Sequence, residues 1–116
     1  MSGGRLGRLR KGAEFDSAFS KGSVMNGPLL VVRVVPNELA RSRWGFAVGK
    51  KLVPKASRRN LVRRRMREAV RSLDITAGLD VVVVAKAGAL DAGLPALKLA
   101  IGTQIGRFID SQGRLE

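Results

Sequence analysis

Between Ser57 and Arg71 the chain reads SRRNLVRRRMREAVR, seven arginines and one glutamate in fifteen residues. Guanidinium groups are planar, permanently charged forks that match phosphate oxygens two at a time, so the chemistry this segment suggests is the binding of a polyanion. What is missing narrows the reading further. The chain has no histidine and no cysteine, which removes Ser-His-Asp and Cys-His catalysis, the usual zinc sites and any disulfide scaffold. Chemistry performed by this chain alone would need carboxylate, lysine or bound metal.

Arginines held for phosphate need an element that fixes their directions. On a helical wheel Val62, Met66, Ala69, Val70 and Leu73 gather within about 100°, the width of a core-facing stripe. Asn60, Arg63, Arg64, Arg67 and Arg71 take the opposite side, while Arg58 and Arg65 project away from that main basic face. A disordered basic tail has no reason to sort its aliphatic residues from its charges, so the segment is expected to be a folded helix running to about Leu73. Ser57 is its expected N-cap.

The whole chain agrees with a polyanionic partner. Its 22 Lys and Arg against 9 Asp and Glu give a formal charge of +13, more than solubility asks of a small domain. RNA, DNA and an anionic membrane surface all fit that balance. With 116 residues, 45% of them hydrophobic, one small domain is expected. The basic start MSGGRLGRLRKG is followed by no apolar signal core, and no stretch has the length of a transmembrane helix. The expectation is a cytoplasmic protein with no membrane partner.

Residues 1–10, rich in Gly and Arg, read as a flexible basic arm, compatible with RNA contact. Residues 11–111 read as a single α+β domain, and 112–116 as a frayed tail. Within the domain a helix is expected from Ala13 to Ser20, stopped by Gly22, with Phe15 and Phe19 on one face. Those rings either pack on a sheet or face nucleobases. Strands are expected at Leu29–Val35, where Arg33 marks a partly wet face, and at Arg43–Gly49 around Trp44, a residue read as core or rim packing. The short Asn37–Ser42 link suggests that these two strands form an antiparallel hairpin.

Leu79–Ala85, with four consecutive valines, reads as a central strand. Leu94, Leu97, Ile101, Ile105 and Phe108 then recur at helical spacing, with Pro95 in the first turn. The result is a compact α+β sandwich with a small mixed sheet of about four strands and three helices. A further strand has room if Val24–Val35 is broken at Gly27-Pro28. A crossover from Trp44–Val48 to Val81–Val84 would ordinarily be right-handed.

Arg59-Asn60, Arg63-Arg64, Arg67-Glu68 and Arg71 together resemble the signature of the protein subunit of bacterial ribonuclease P. Leu9-Arg10-Lys11 with Phe15, Phe19 and Gly22 is similar to that family's opening. Gly45-Phe46-Ala47-Val48 with Lys50-Lys51 is similar to its second strand and turn, and Gly78-Leu79-Asp80 to the lead into its valine strand. Two departures stand out: Arg63 where the family often has lysine, and Ala47-Val48-Gly49-Lys50 where serines are common.

The resemblance implies a left-handed crossover around the arginine helix, an exception to the usual rule. It implies binding to a large catalytic RNA and removal of 5′ leaders from precursor transfer RNA. Catalysis would lie in the RNA, with Mg2+ bound mainly by that subunit and no catalytic residue in the protein. Arg59, Asn60, Arg63, Arg64, Arg67 and Arg71, with Lys50 and Lys51, would bind RNA. Asn60, which can accept as well as donate, would order a loop, a base edge or a metal-bound water, or simply make a helix-start contact. A cleft for the single-stranded leader would be formed by Phe15, Phe19 and Val32, with Lys55 either neutralising phosphate there or simply solvated. No obligate protein partner is evident. The alternative is a general or ribosome-associated RNA-binding protein with no role in cleavage, and a helix-based DNA binder is more distant.

Overall fold

The computed structural model describes residues 7–9, 22–39, 41–71, 73 and 78–114. Among these residues five strands and two helices follow in order: β1 (Gly7–Arg8), β2 (Ser23–Asn26), β3 (Leu30–Pro36), β4 (Arg43–Ala47), α1 (Ala56–Arg71), β5 (Leu79–Ala85) and α2 (Leu94–Arg114), with a 3-10 turn at Ala87–Leu90. The helix expected at Ala13–Ser20, with Phe15 and Phe19, lies outside the described residues.

The strands form one mixed sheet in the order β1-β4-β5-β3-β2. The valine strand β5 is central, as its composition suggests, and pairs antiparallel with β3 and parallel with β4. That arrangement corrects the expected β3–β4 hairpin. The two strands do run in opposite directions, but β5 lies between them, because a strand apolar on both faces gains most from burial at the centre. The hairpin is instead β2–β3, with Val24 opposite Arg33 and Met25 opposite Val32. The 1–10 arm is corrected too: Gly7 and Arg8 pair parallel with Arg43 and Trp44, and Leu9 donates its N–H to the Trp44 carbonyl at 3.0 Å.

Alternation divides the sheet into two faces. Leu30, Val32, Val34, Trp44, Val81 and Val83 point toward α1 and α2 and form the main core with Val62, Met66, Val70, Leu97, Ile101 and Ile105. Each such large apolar side chain removed from water contributes roughly 1.5–3 kcal/mol. On the other face Leu9 packs on the fully buried Val82, with Val35 and Val84 beside them. The expected stripe of α1 is the buried one, since Val62, Met66, Ala69 and Val70 are buried and Leu73 packs against the core.

Polar clasps hold the margins. Arg43 grips Asp80 through Nε to Oδ1 at 2.8 Å and Nη2 to Oδ2 at 2.7 Å, and Asn37 Nδ2 donates to the same Oδ1 at 2.7 Å. Gly78 enters β5 with φ of +100°, a conformation natural to glycine, and its carbonyl accepts the Asn37 N–H at 2.8 Å. At the other end Lys86 Nζ donates to Asn26 Oδ1 at 2.6 Å and the Gly27 carbonyl at 2.8 Å, tying β5 to the β2–β3 turn. A Cβ at Gly27 would stand 2.0 Å from Gln104 Nε2, so a larger residue at this turn would require that side chain of α2 to move. α2 continues to Arg114, so the tail expected to fray from 112 begins inside the helix.

Candidate nucleic-acid interface

The arginine segment forms α1, with its cap two residues earlier than expected. The Lys55 carbonyl accepts the N–H groups of Arg58 and Arg59, both at 3.1 Å. Lys55 therefore stands at the cap position, and Ser57 lies exposed in the first turn. That first turn holds no acidic residue. Arg58 and Arg59 instead sit at the positive end of the helix dipole, where a sequence chosen for helix stability alone would place Asp or Glu. Such stacking of positive charge suits an external anion.

The predicted RNA-binding residues have different duties. Arg59 is half-buried and donates Nη1 to the Val53 carbonyl at 2.9 Å and the Pro54 carbonyl at 2.7 Å. It clamps the β4–α1 loop, which carries the exposed Lys50, Lys51 and Lys55. Asn60 Oδ1 accepts a hydrogen bond from Arg63 Nη2, so the amide orients a neighbouring cation. Arg67 holds its guanidinium carbon 5.5 Å from the centre of the Phe46 ring, and that ring stacks on Trp44 with centroids 6.3 Å apart. Arg64 and Arg71 are exposed, and among the described residues neither has a hydrogen-bond or ion-pair partner. Full donor capacity remains available there for phosphate.

Arg65 lies on the opposite flank and donates Nη1 to the Leu90 carbonyl at 3.1 Å. Trp44 is buried at 5% exposure, which settles it as packing rather than a stacking platform. Phe15 and Phe19, the proposed rings of a leader cleft, fall outside the described residues. Val32 does not suit such a cleft. It is 0% exposed and faces α1 and α2, whereas Val31, Arg33 and Val35 point to the other side of the sheet. Arg33 was the available signal, since a residue adjacent to it in a strand must face the other way.

The Arg43–Asp80 clasp was not anticipated as a pair. An acid beside four valines is the sequence signal for it, because a buried carboxylate requires a cation or several donors. Among the described residues no group of three or more His, Cys, Asp or Glu side chains could hold a metal ion, and no helix is long and apolar enough to cross a membrane.

A family model described as ribonuclease P matches residues 4–108. The chain is 39% identical over 82 residues to the ribonuclease P protein component of Dehalococcoides mccartyi strain CBDB1, covering 71% of this chain and 68% of that one. It is 38% identical over 94 residues to the ribonuclease P protein component of Symbiobacterium thermophilum, covering 78% and 81%. Among solved structures, the RNase P protein of Thermotoga maritima matches with a TM-score of 0.76 at 27% identity, covering 86% of this chain and 96% of that one. The Staphylococcus aureus RNase P protein matches with a TM-score of 0.73 at 28% identity, covering 88% and 94%.

Proposed function

The chain belongs to the ribonuclease P protein family, and from that membership we propose how its surfaces serve the enzyme. It is the protein component of a ribonucleoprotein endoribonuclease that acts in transfer RNA processing. Its partners are the catalytic RNA and precursor transfer RNA, and it works in the cytoplasm.

The observation that carries this reading is the division of α1: Met66 and Val70 are fixed in the core while Arg63, Arg64, Arg67 and Arg71 stand on the outer side with Asn60. A helix locked by packing presents its guanidinium groups at set spacing, so little side-chain order must be lost when phosphates arrive. This face meets the catalytic RNA. Lys50 and Lys51 extend the positive field along the loop that Arg59 clamps. Phe15, Phe19 and Lys55 are assigned by family resemblance to the unpaired 5′ leader, where rings stack on bases with little sequence preference.

The reaction hydrolyses a phosphodiester, leaving a 5′ phosphate on the transfer RNA and a 3′ hydroxyl on the leader. The RNA holds Mg2+, which supplies activation of water and charge neutralisation when bound. The protein's part is to bind and orient RNA. The β4–α1–β5 crossover takes the left hand of the family. Its support is the likeness to solved RNase P proteins over most of the chain.

Reconstitution tests the proposal. With a ribonuclease P RNA at low Mg2+, adding the protein raises the rate of precursor cleavage above that of RNA alone. No increase across a series of salt and Mg2+ concentrations would leave a general RNA-binding protein as the better reading.

A further inference from the structure

α1 has a second flank, turned away from Arg64 and Arg71, and it borders a groove of about 550 Å³. The β4–α1 loop, α1 and the turn at Ala87–Leu90 enclose it. Leu52, Val53, Pro54, Leu61 and Leu90 give it an apolar lining, and Lys55, Arg58 and Arg65 stand along it as cations. Leu61 is 44% exposed, although a leucine at the edge of a positively charged surface gains nothing from water. Arg65 donates to the Leu90 carbonyl, which keeps its guanidinium beside the groove.

We propose that this groove binds one unpaired nucleotide of RNA, with the base against the apolar lining and the phosphate at Lys55 and Arg58. Three features select that occupant. The volume falls within the range of small-molecule sites. An aliphatic surface beside a guanidinium plane is a platform for a flat base, and bases splayed out of RNA stack on arginine as well as on aromatic rings. Charge is distributed unevenly along the groove: Lys55 and Arg58 lie at the positive end of α1, while the carboxylate of Asp91 lines the groove beside Leu90. A phosphate is drawn to the first pair, where the helix dipole adds to their charge, while Arg65 offsets Asp91 at the other end. The assignment gives Arg58 and Arg65, which lie off the main arginine face, a part in RNA binding. It rests on the proposed function only for the source of the nucleotide.

The test uses the full chain with methyl-labelled leucine and valine, followed by nuclear magnetic resonance. The probes are cytidine 5′-monophosphate and inorganic phosphate. The nucleotide is expected to shift the methyl signals of Leu61 and Leu90 saturably, and phosphate alone to leave them in place. Arg58→Gln should weaken the nucleotide about three- to tenfold, the loss of one exposed charge-assisted hydrogen bond. Leu61→Asp should abolish the shift at Leu90 while the signals of buried Val62 and Val70 report an intact core. Methyls that do not respond to the nucleotide, or that respond equally to phosphate alone, overturn the proposal. Because no catalytic RNA is present, either result is independent of the cleavage assay.

Discussion

Arg67 and Phe46 join α1 to the sheet: the guanidinium carbon stands 5.5 Å from the ring centre, and the ring is itself stacked on Trp44. The contact connects the core to the face proposed to bind RNA, because it limits the directions in which one of the outward arginines can point. An aromatic face attracts a cation by about 0.5–1 kcal/mol at sites open to water.

Phe46→Leu keeps an apolar side chain at that place and removes the ring face. Affinity for ribonuclease P RNA should fall about two- to fivefold, corresponding to the lost cation–π energy, with the salt dependence unchanged because no charge is removed. Filter binding over a salt series measures both quantities. A fall in salt slope would mean that the ring supports more than Arg67.

Asp80 is a buried acid with Arg43 and Asn37 as partners, so Asp80→Ala removes the carboxylate that both of them grip. The expected loss is about 3 kcal/mol in urea denaturation, near the low end for a buried pair because Arg43 retains some access to water. Replacing both partners by apolar residues of similar volume, as in Arg43→Met with Asp80→Leu, should restore part of it. A single variant as stable as the parent would make the clasp incidental.

Stability and RNA binding should separate along α1. Met66→Ala opens a cavity under the helix and should cost about 2–5 kcal/mol, whereas Arg64→Ala should remain within about 0.5 kcal/mol of the parent. Denaturant midpoints for the two variants make the comparison. A large stability loss from Arg64→Ala would mean that its charge is part of the fold.

The sequence was most legible where one period dominates. The stripe from Val62 to Val70 lies in the core as expected, and the valines of β5 occupy the sheet centre. Leu30–Val35 was harder, because valines on both sides conceal the alternation by which Val32 faces the helices. The β3–β4 hairpin was misread because a short link reveals nothing of a strand that will later insert between its ends. β1 is two residues long, below the length at which any period can be seen. Arg59, expected to bind RNA, also clamps the backbone carbonyls of Val53 and Pro54 through Nη1, a duty the sequence concealed because carbonyl acceptors leave no trace in residue types.

The most direct test of the central claim, that the outer face of α1 grips phosphate, is the salt dependence of binding to ribonuclease P RNA for Arg64→Ala, Arg71→Ala and the double variant. Each lost phosphate contact should reduce the slope of log affinity against log salt by about 0.7–0.9, and the two reductions should add. A slope unchanged in the double variant, with folding intact, would contradict the account.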